Sequence, residues 1–412
     1  MNRNQLVILL AALVILGGAG LALRKHNEES WNSSANKLGE KVLPNFQVND
    51  VAALHIKGDG DVNIVRKDNG WLVKERDNYP ANFTQIKELL LKMGDLKIAQ
   101  SEAIGASQLG RMHLAEPGSG PEAATLIEFE DAQGKVLQSL LLGKKHTEKS
   151  ERAAQMQFGG GEFPDGRYVM LKSDPHDLLT VSEPLNSVDP KPAGWLNKDF
   201  FKIEKVKSIS FESTNAADSW SLTRESESAP WVLSGAKPGE VLDTNKVSSI
   251  SSTLSYPSFV DVAADPSPAK TGMNKPLVVT ITTFDNFTYV LKIGDKTPQN
   301  DYNMMVSVTA DFPTERVAAK GEKPDDKKKL DKEFQDKLKP LQDKLQQEKA
   351  LNKATYLVNN WLIDPLIRHR SELMVEKKDE KKAKDAKKEA SAAPADDSNL
   401  PTPFPPADSD GK

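Results

Sequence analysis

The stretch Val51-Ala52-Ala53-Leu54-His55-Ile56-Lys57, then Val62–Arg66, the turn Asp68-Asn69-Gly70 and the run Trp71-Leu72-Val73-Lys74 decide the fold. Asn-Gly between two apolar runs predicts a tight β-hairpin, because both residues tolerate positive φ. A helix is expected next, from about Asn82 to Met93. Phe83, Ile86, Leu89, Leu90 and Met93 recur at three- and four-residue spacing and make one apolar stripe. Asn82 suits the N-cap, where its side chain can accept an orphan backbone N–H. Leu96–Ala99 reads as a short strand, Thr125–Phe129 and Val136–Leu142 as a hairpin around Gln133-Gly134, and Arg167–Leu171 as a further strand.

The same grammar then returns in the same order. Val206–Phe211 stands where Val51–Ile56 stood, and Trp231-Val232-Leu233 follows Trp71-Leu72-Val73 at an offset of 160 residues. The helix returns from about Thr244 with Val247, Ile250 and Leu254 as its stripe. Phe259–Val262 matches Leu96–Ala99, Val278–Thr283 matches Thr125–Phe129, and Tyr289–Gly294 matches Val136–Gly143. Tyr302-Asn303-Met304-Met305 resembles Tyr168-Val169-Met170, and Trp361-Leu362 echoes Trp195-Leu196. Matched elements in a fixed order predict a duplicated α+β unit, over 48–200 and 201–370, with Trp71 and Trp231 in equivalent core positions. An exposed aromatic groove for glycan or peptide is the other reading of those tryptophans.

The second unit carries a charged insertion at about 313–353. Leu330, Phe334, Leu338, Leu341 and Leu345 form a narrow helical stripe in it, which either docks on its own domain or pairs with a partner helix. Pro340 lies inside the stripe and is expected to kink the helix or split it in two. Residues 26–47 read as a polar spacer. Beyond Met374 the chain turns Lys/Glu-rich and then Pro/Ala/Asp-rich, so 376–412 is expected to be disordered, with Phe404 in Pro401-Thr402-Pro403-Phe404-Pro405-Pro406 as a conceivable polyproline ligand.

The N-terminus bears on address. Leu6–Leu23 is an unbroken uncharged run, about 27 Å long as a helix at ~1.5 Å per residue, close to the thickness of a hydrocarbon core. It exceeds an ordinary signal-peptide core, so a membrane anchor over 1–25 is expected rather than cleavage near Gly20-Leu21-Ala22. The expected topology is single-pass in an inner membrane, with the bulk of the chain periplasmic.

Composition excludes several chemistries. The 412 residues contain no cysteine, which removes disulfides, thiolate metal sites and thiol nucleophiles. Net charge is −4, so no basic field points to nucleic acid. The histidines, among them His55 and His113, have no partner at metal-binding spacing, and His55 and His113 read as structural. Gly159-Gly160-Gly161 lacks the Lys-Ser/Thr of a phosphate-binding loop. Ser34-Ala35-Asn36-Lys37 lacks the companions of an acylating serine, and Asp59-Gly60-Asp61 reads as turn chemistry rather than a calcium loop. Asp325-Asp326 and Asp396-Asp397 fall in solvated runs. The expectation is therefore no catalytic residue, no cofactor and no metal.

An anchor, a duplicated unit of strands and a short helix with a hairpin of the Asn-Gly-Trp kind, a late strand ending in glycine and a closing Trp-Leu step together resemble the bacterial domain-of-unknown-function family 4340. The resemblance implies a membrane-anchored extracytoplasmic protein, of a kind often encoded beside gliding-motility-type ABC transporter subunits. It carries no active site. It points to a non-enzymatic accessory or scaffold role with an ABC-type permease, or that permease's extracytoplasmic subunit, as partner. The alternative expectation is a ligand-binding module for glycan, lipid or peptide between the two units.

Overall fold

A computed structural model describes residues 37–68, 70–147, 164–318 and 322–375. The chain is α+β: among the described residues, two antiparallel sheets carry most of the structure and a few helices cover them. In the first, β1 (Ala53–Lys57) sits centrally between β2 (Asp61–Lys67) and β6 (Thr125–Glu130). Outward on one side lie β3 (Gly70–Val73) and β4 (Tyr79–Pro80). On the other lie β7 (Val136–Thr147), β8 (Pro164–Leu171), β9 (Asp177–Val181) and finally β5 (Ile98–Ala103).

The second sheet has the same order. It comprises β12 (Val232–Leu233), β11 (Trp220–Thr223), β10 (Val206–Glu212), β14 (Leu277–Thr283), β15 (Phe287–Lys296), β16 (Tyr302–Ala310), β17 (Tyr356–Val358) and β13 (Asp261–Val262). Strand for strand this is β3-β2-β1-β6-β7-β8-β9-β5, and among the described residues β4 has no counterpart.

Alternation along the strands selects one face for the core. Leu54 and Ile56 of β1 are buried, as are Ile209 and Phe211 of β10. Helix α1 (Phe83–Asp95) buries Ile86, Leu89, Leu90 and Met93, and Asn82 caps it by accepting from the Gln85 N–H. Helix α2 (Thr244–Thr253) buries Val247 and Ile250, with Asp243 accepting from the Asn245 and Lys246 N–H groups. A short helix α3 (Pro268–Thr271) leads towards β14.

The glycines that close the matched strands, Gly143 and Gly294, sit in matching bulges. Residues Leu142 to Lys145 carry a register shift against β8, and Ile293 to Lys296 carry one against β16. In each bulge a glycine follows the last regular pair. A Cβ on Gly143 would run into the Met112 carbonyl, and one on Gly294 into the Thr271 carbonyl. In both sheets a helical turn therefore presses its backbone onto the strand at a point only glycine allows.

Several expectations need correction. Lys67 pairs with Gly70, so the hairpin closes one residue earlier than Asn-Gly, with Asp68 at φ 51. The spacer does not extend to 47. Gly39 and Val42 donate to the Ile98 and Leu96 carbonyls, and Val42 and Leu43 are buried, so this segment shields the edge strand β5. The strand near Trp231 starts at Val232, and the one near Phe259 is only Asp261–Val262. Trp195 is buried and donates to the Asp189 carbonyl, whereas Trp361 is 52% exposed; only Leu196 and Leu362 share a buried role.

The inserted helix α4 (Pro324–Lys349) runs continuously through Pro340. A mid-helix proline costs about 3 kcal/mol, and here Leu341 and Leu345 seat the helix on the core just beyond it, while Leu338 is buried just before it. The end of α4 leads through Ala350–Lys353 into β17, and Asn352 accepts the Val308 N–H. The run Leu6–Leu23, Ser34-Ala35-Asn36, Gly159-Gly160-Gly161 and 376–412 lie outside the described residues. Within the described residues no helix is long and apolar enough to cross a membrane.

Gly143→Ala and Gly294→Ala are each expected to destabilise the protein by about 1–3 kcal/mol in denaturant titration, because the neighbouring carbonyl belongs to backbone that cannot swing away. Gly70→Ala, where a Cβ meets open space, should change stability little. Equal effects at all three positions would contradict the close-approach account.

Candidate functional site

Tyr79, on the edge strand β4, projects into the second unit. Its ring meets Phe259 at 5.9 Å and Tyr356 at 6.0 Å, both near right angles. Phe200, in the connecting segment, packs on Phe201, Phe259 and Tyr356. The buried core is continuous through this cluster. The connection is held from the other side as well: Ala81 pairs with Leu196, Asn197 donates to the Pro80 carbonyl, and the Trp195 carbonyl accepts the Asn82 N–H.

Charge crosses the same seam. Arg76 Nε and Nη2 donate to Asp261 Oδ1 and Oδ2 at 2.8 and 2.7 Å, a fork-to-fork pair with both side chains mostly buried. Lys198 donates to the Val260 carbonyl at 2.6 Å and lies 4.4 Å from the Phe259 ring centroid. Burial lowers the Lys198 pKa, with Arg76 adding to that and Asp261 opposing it. Burial likewise raises the phenols of Tyr79 and Tyr356, which stay neutral.

Beside the seam opens a cleft of about 990 Å³, between Arg76–Pro80, Asn197–Glu204, Val262–Pro266 and the end of α4. Its floor is a locked peptide. Lys202 donates its N–H to Glu348 at 3.0 Å, and its carbonyl accepts from Lys344 Nζ at 2.6 Å. Tyr289 donates its hydroxyl to the other Glu348 oxygen at 2.7 Å. Glu348 is buried, and that burial raises its pKa. The Lys202 N–H, the Tyr289 hydroxyl and the Lys344 ammonium pull it back. The cleft thus joins an apolar wall to polar groups that already have partners, an arrangement suited to holding a ligand or a partner's side chains.

The stripe residues do not share one environment. Leu338 is buried, Leu341 and Leu345 pack on the core, Phe334 is half-buried and Leu330 is 37% exposed. The C-terminal half of the stripe therefore docks on its own domain. Glu348 lies three residues beyond Leu345 on that stripe, so a lone acid in an apolar row was a readable sign of a buried partner. Arg76 and Asp261 are 185 residues apart and carry no local signal. His55 bridges Asp61 and Glu128, while His113 sits in a left-handed turn. Asp325 and Asp326 occupy the first turn of α4, where the helix dipole favours them. Trp71 is buried and Trp231 partly so, with Arg66 and Arg224 guanidinium groups 6.0 and 4.7 Å from the respective rings. Among the described residues no group of three or more His, Asp or Glu side chains converges as a metal site.

A raised carboxyl pKa means that the folded state holds the proton more tightly than the unfolded chain. Glu348 therefore contributes most stability below the ordinary glutamate range, and that contribution is lost as pH rises through its elevated value. Glu348→Gln keeps an acceptor for the Lys202 N–H and removes the ionisation. Its melting temperature should gain on the wild type as pH rises above the ordinary glutamate range and level off once the buried carboxyl has ionised; parallel curves would contradict a buried, titrating Glu348.

The sequence profile of the family described as Domain of unknown function (DUF4340) matches residues 71–276. The match runs from β3 across the seam to the residues after α3 and spans both partners of the seam's ion pair, Arg76 and Asp261. No curated protein and no solved structure matches the chain. With half of its length matched and the junction at the centre of that match, the chain belongs to the DUF4340 family.

Proposed function

We propose that the protein is a non-enzymatic, membrane-anchored extracytoplasmic accessory or scaffold component of an ABC-type transport or gliding-motility-like complex, built from a duplicated α+β unit. The anchor rests on the Leu6–Leu23 run, which has the length and apolarity of a membrane span and ends at Arg24-Lys25. The duplication is supported by the shared strand order and by the matching glycine bulges at Gly143 and Gly294. The association with a transport complex rests on the family resemblance. One observation carries the scaffold reading: a seam at which packed rings, the Arg76–Asp261 ion pair and the Lys198 bond to the Val260 carbonyl join the units.

A second reading is favoured by the cleft itself. At about 990 Å³ it is at the upper end of ordinary ligand pockets, ~300–1,000 Å³, and could hold a glycan, lipid or peptide.

In-cell crosslinking from the folded region, followed by mass spectrometry, tests the first reading. The expected product is a crosslink to an ABC-type permease or its extracytoplasmic subunit; recovery of no transport component would contradict it. For the cleft, a bound solute at roughly a hundredfold its dissociation constant should raise the melting temperature by several degrees. Screening glycans, lipids and peptides without such a shift would remove the ligand reading.

A further inference from the structure

The two units differ where their helices meet solvent. Counted from the N-caps Asn82 and Asp243, α1 carries Phe83, Lys87 and Leu91 where α2 carries Thr244, Ser248 and Ser252. Phe83 is 60% exposed and Leu91 50% exposed, one turn on either side of Lys87. The apolar arc of α1 thus continues past the core-facing residues onto a face that α2 keeps polar. This face borders a groove of about 410 Å³ lined by Trp71, Arg66, Leu90 and Val48 among others. Arg66 and Lys87 are exposed in its lining, with Asp68 the acid there.

The position of this face matters. Lys41 donates to the Gly94 carbonyl at the C-terminal end of α1, and Val48 of the same entering segment lines the groove. The chain between Lys25 and Lys37 can span at most about 40 Å, so an anchored protein keeps this end of the first unit near the bilayer. Exposed Phe and Leu flanked by Lys and Arg are the composition of an interfacial surface, whose rings and aliphatic chains enter the headgroup boundary while cations meet lipid phosphates.

We propose that the exposed α1 face, centred on Phe83, Lys87 and Leu91 with Arg66 beside it, docks on an anionic lipid surface and lays the first unit against the membrane, leaving the second unit and the cleft free. This inference rests on the anchor reading. The second unit supplies the internal control, since its helix carries Thr244, Ser248 and Ser252 at the same positions.

The absence of cysteine makes the test clean. The full chain, with Lys87→Cys or Ser248→Cys carrying an environment-sensitive fluorophore, is reconstituted into bilayer discs of phosphatidylcholine with roughly a third phosphatidylglycerol. The label at 87 is expected to shift to the blue and be quenched by spin-labelled lipid, while the label at 248 stays open to aqueous iodide. Phe83→Ser with Leu91→Ser should abolish the shift at 87; both are surface changes to residue types like those the second unit uses. Equal iodide access at 87 and 248 overturns the docking. Alkaline carbonate extraction of cell membranes reads the anchor separately. A chain that resists extraction while its 87 label stays in water keeps the anchor and loses the docking. A chain that is extracted, yet shows lipid quenching at 87, keeps the docking and loses the anchor. Extraction with a water-exposed label overturns both.

Discussion

Arg76 and Asp261 close a two-pronged ion pair where two sheets of the same strand order meet. Each sheet brings an edge to this seam, β4 from the first and β13 from the second. An open edge is a hazard unless something covers it. Here the first edge is paired by Ala81–Leu196 and Asn197, and the second is approached by Lys198 and Arg76. A mostly buried ion pair is costly to desolvate, and removing one partner strands the other charge. The ring cluster of Tyr79, Phe200, Phe259 and Tyr356 supplies the apolar contact that makes the charged contact tolerable. The cleft exists because of this arrangement: it is the space left where the seam, the connecting segment and the end of α4 converge.

The inserted helix is tied to the same place. Glu348 and Lys344 hold both polar groups of the Lys202 peptide, and Lys202 follows directly on the Phe200-Phe201 pair that packs in the seam. The insertion therefore does more than decorate the second unit. Its C-terminal half fixes one wall of the cleft, while its N-terminal half, with Leu330 partly exposed, extends the same stripe away from the body.

Much of the architecture was legible in the sequence because it rests on short-range rules. Period-two alternation, the apolar stripes of Ile86–Met93 and Val247–Leu254, and N-caps at Asn82 and Asp243 are local properties. The repeated order of these signals anticipated the shared strand order. What escaped was set by distant contacts. Val42 and Leu43 look like spacer residues until β5 is placed beside them, and the continuity of α4 through Pro340 depends on the core beneath it. Trp361 resembles Trp195 in sequence but not in burial, because Trp195 has the Asp189 carbonyl as a partner and Trp361 faces solvent. The cleft was anticipated only as a place between the units. Its polar residues come from segments far apart in the chain, and no spacing rule links Arg76 to Asp261 or Lys202 to Glu348.

The central claim is that the seam couples the two units into one body, and scanning calorimetry of the full chain tests it most directly. The account predicts a single unfolding transition for the wild type that separates into two when Asp261→Ala removes the partner of Arg76, with the second unit released first or last but no longer together with the first. Two resolved transitions already present in the wild type, unchanged by Asp261→Ala, would show that the units fold independently and that the seam holds nothing together.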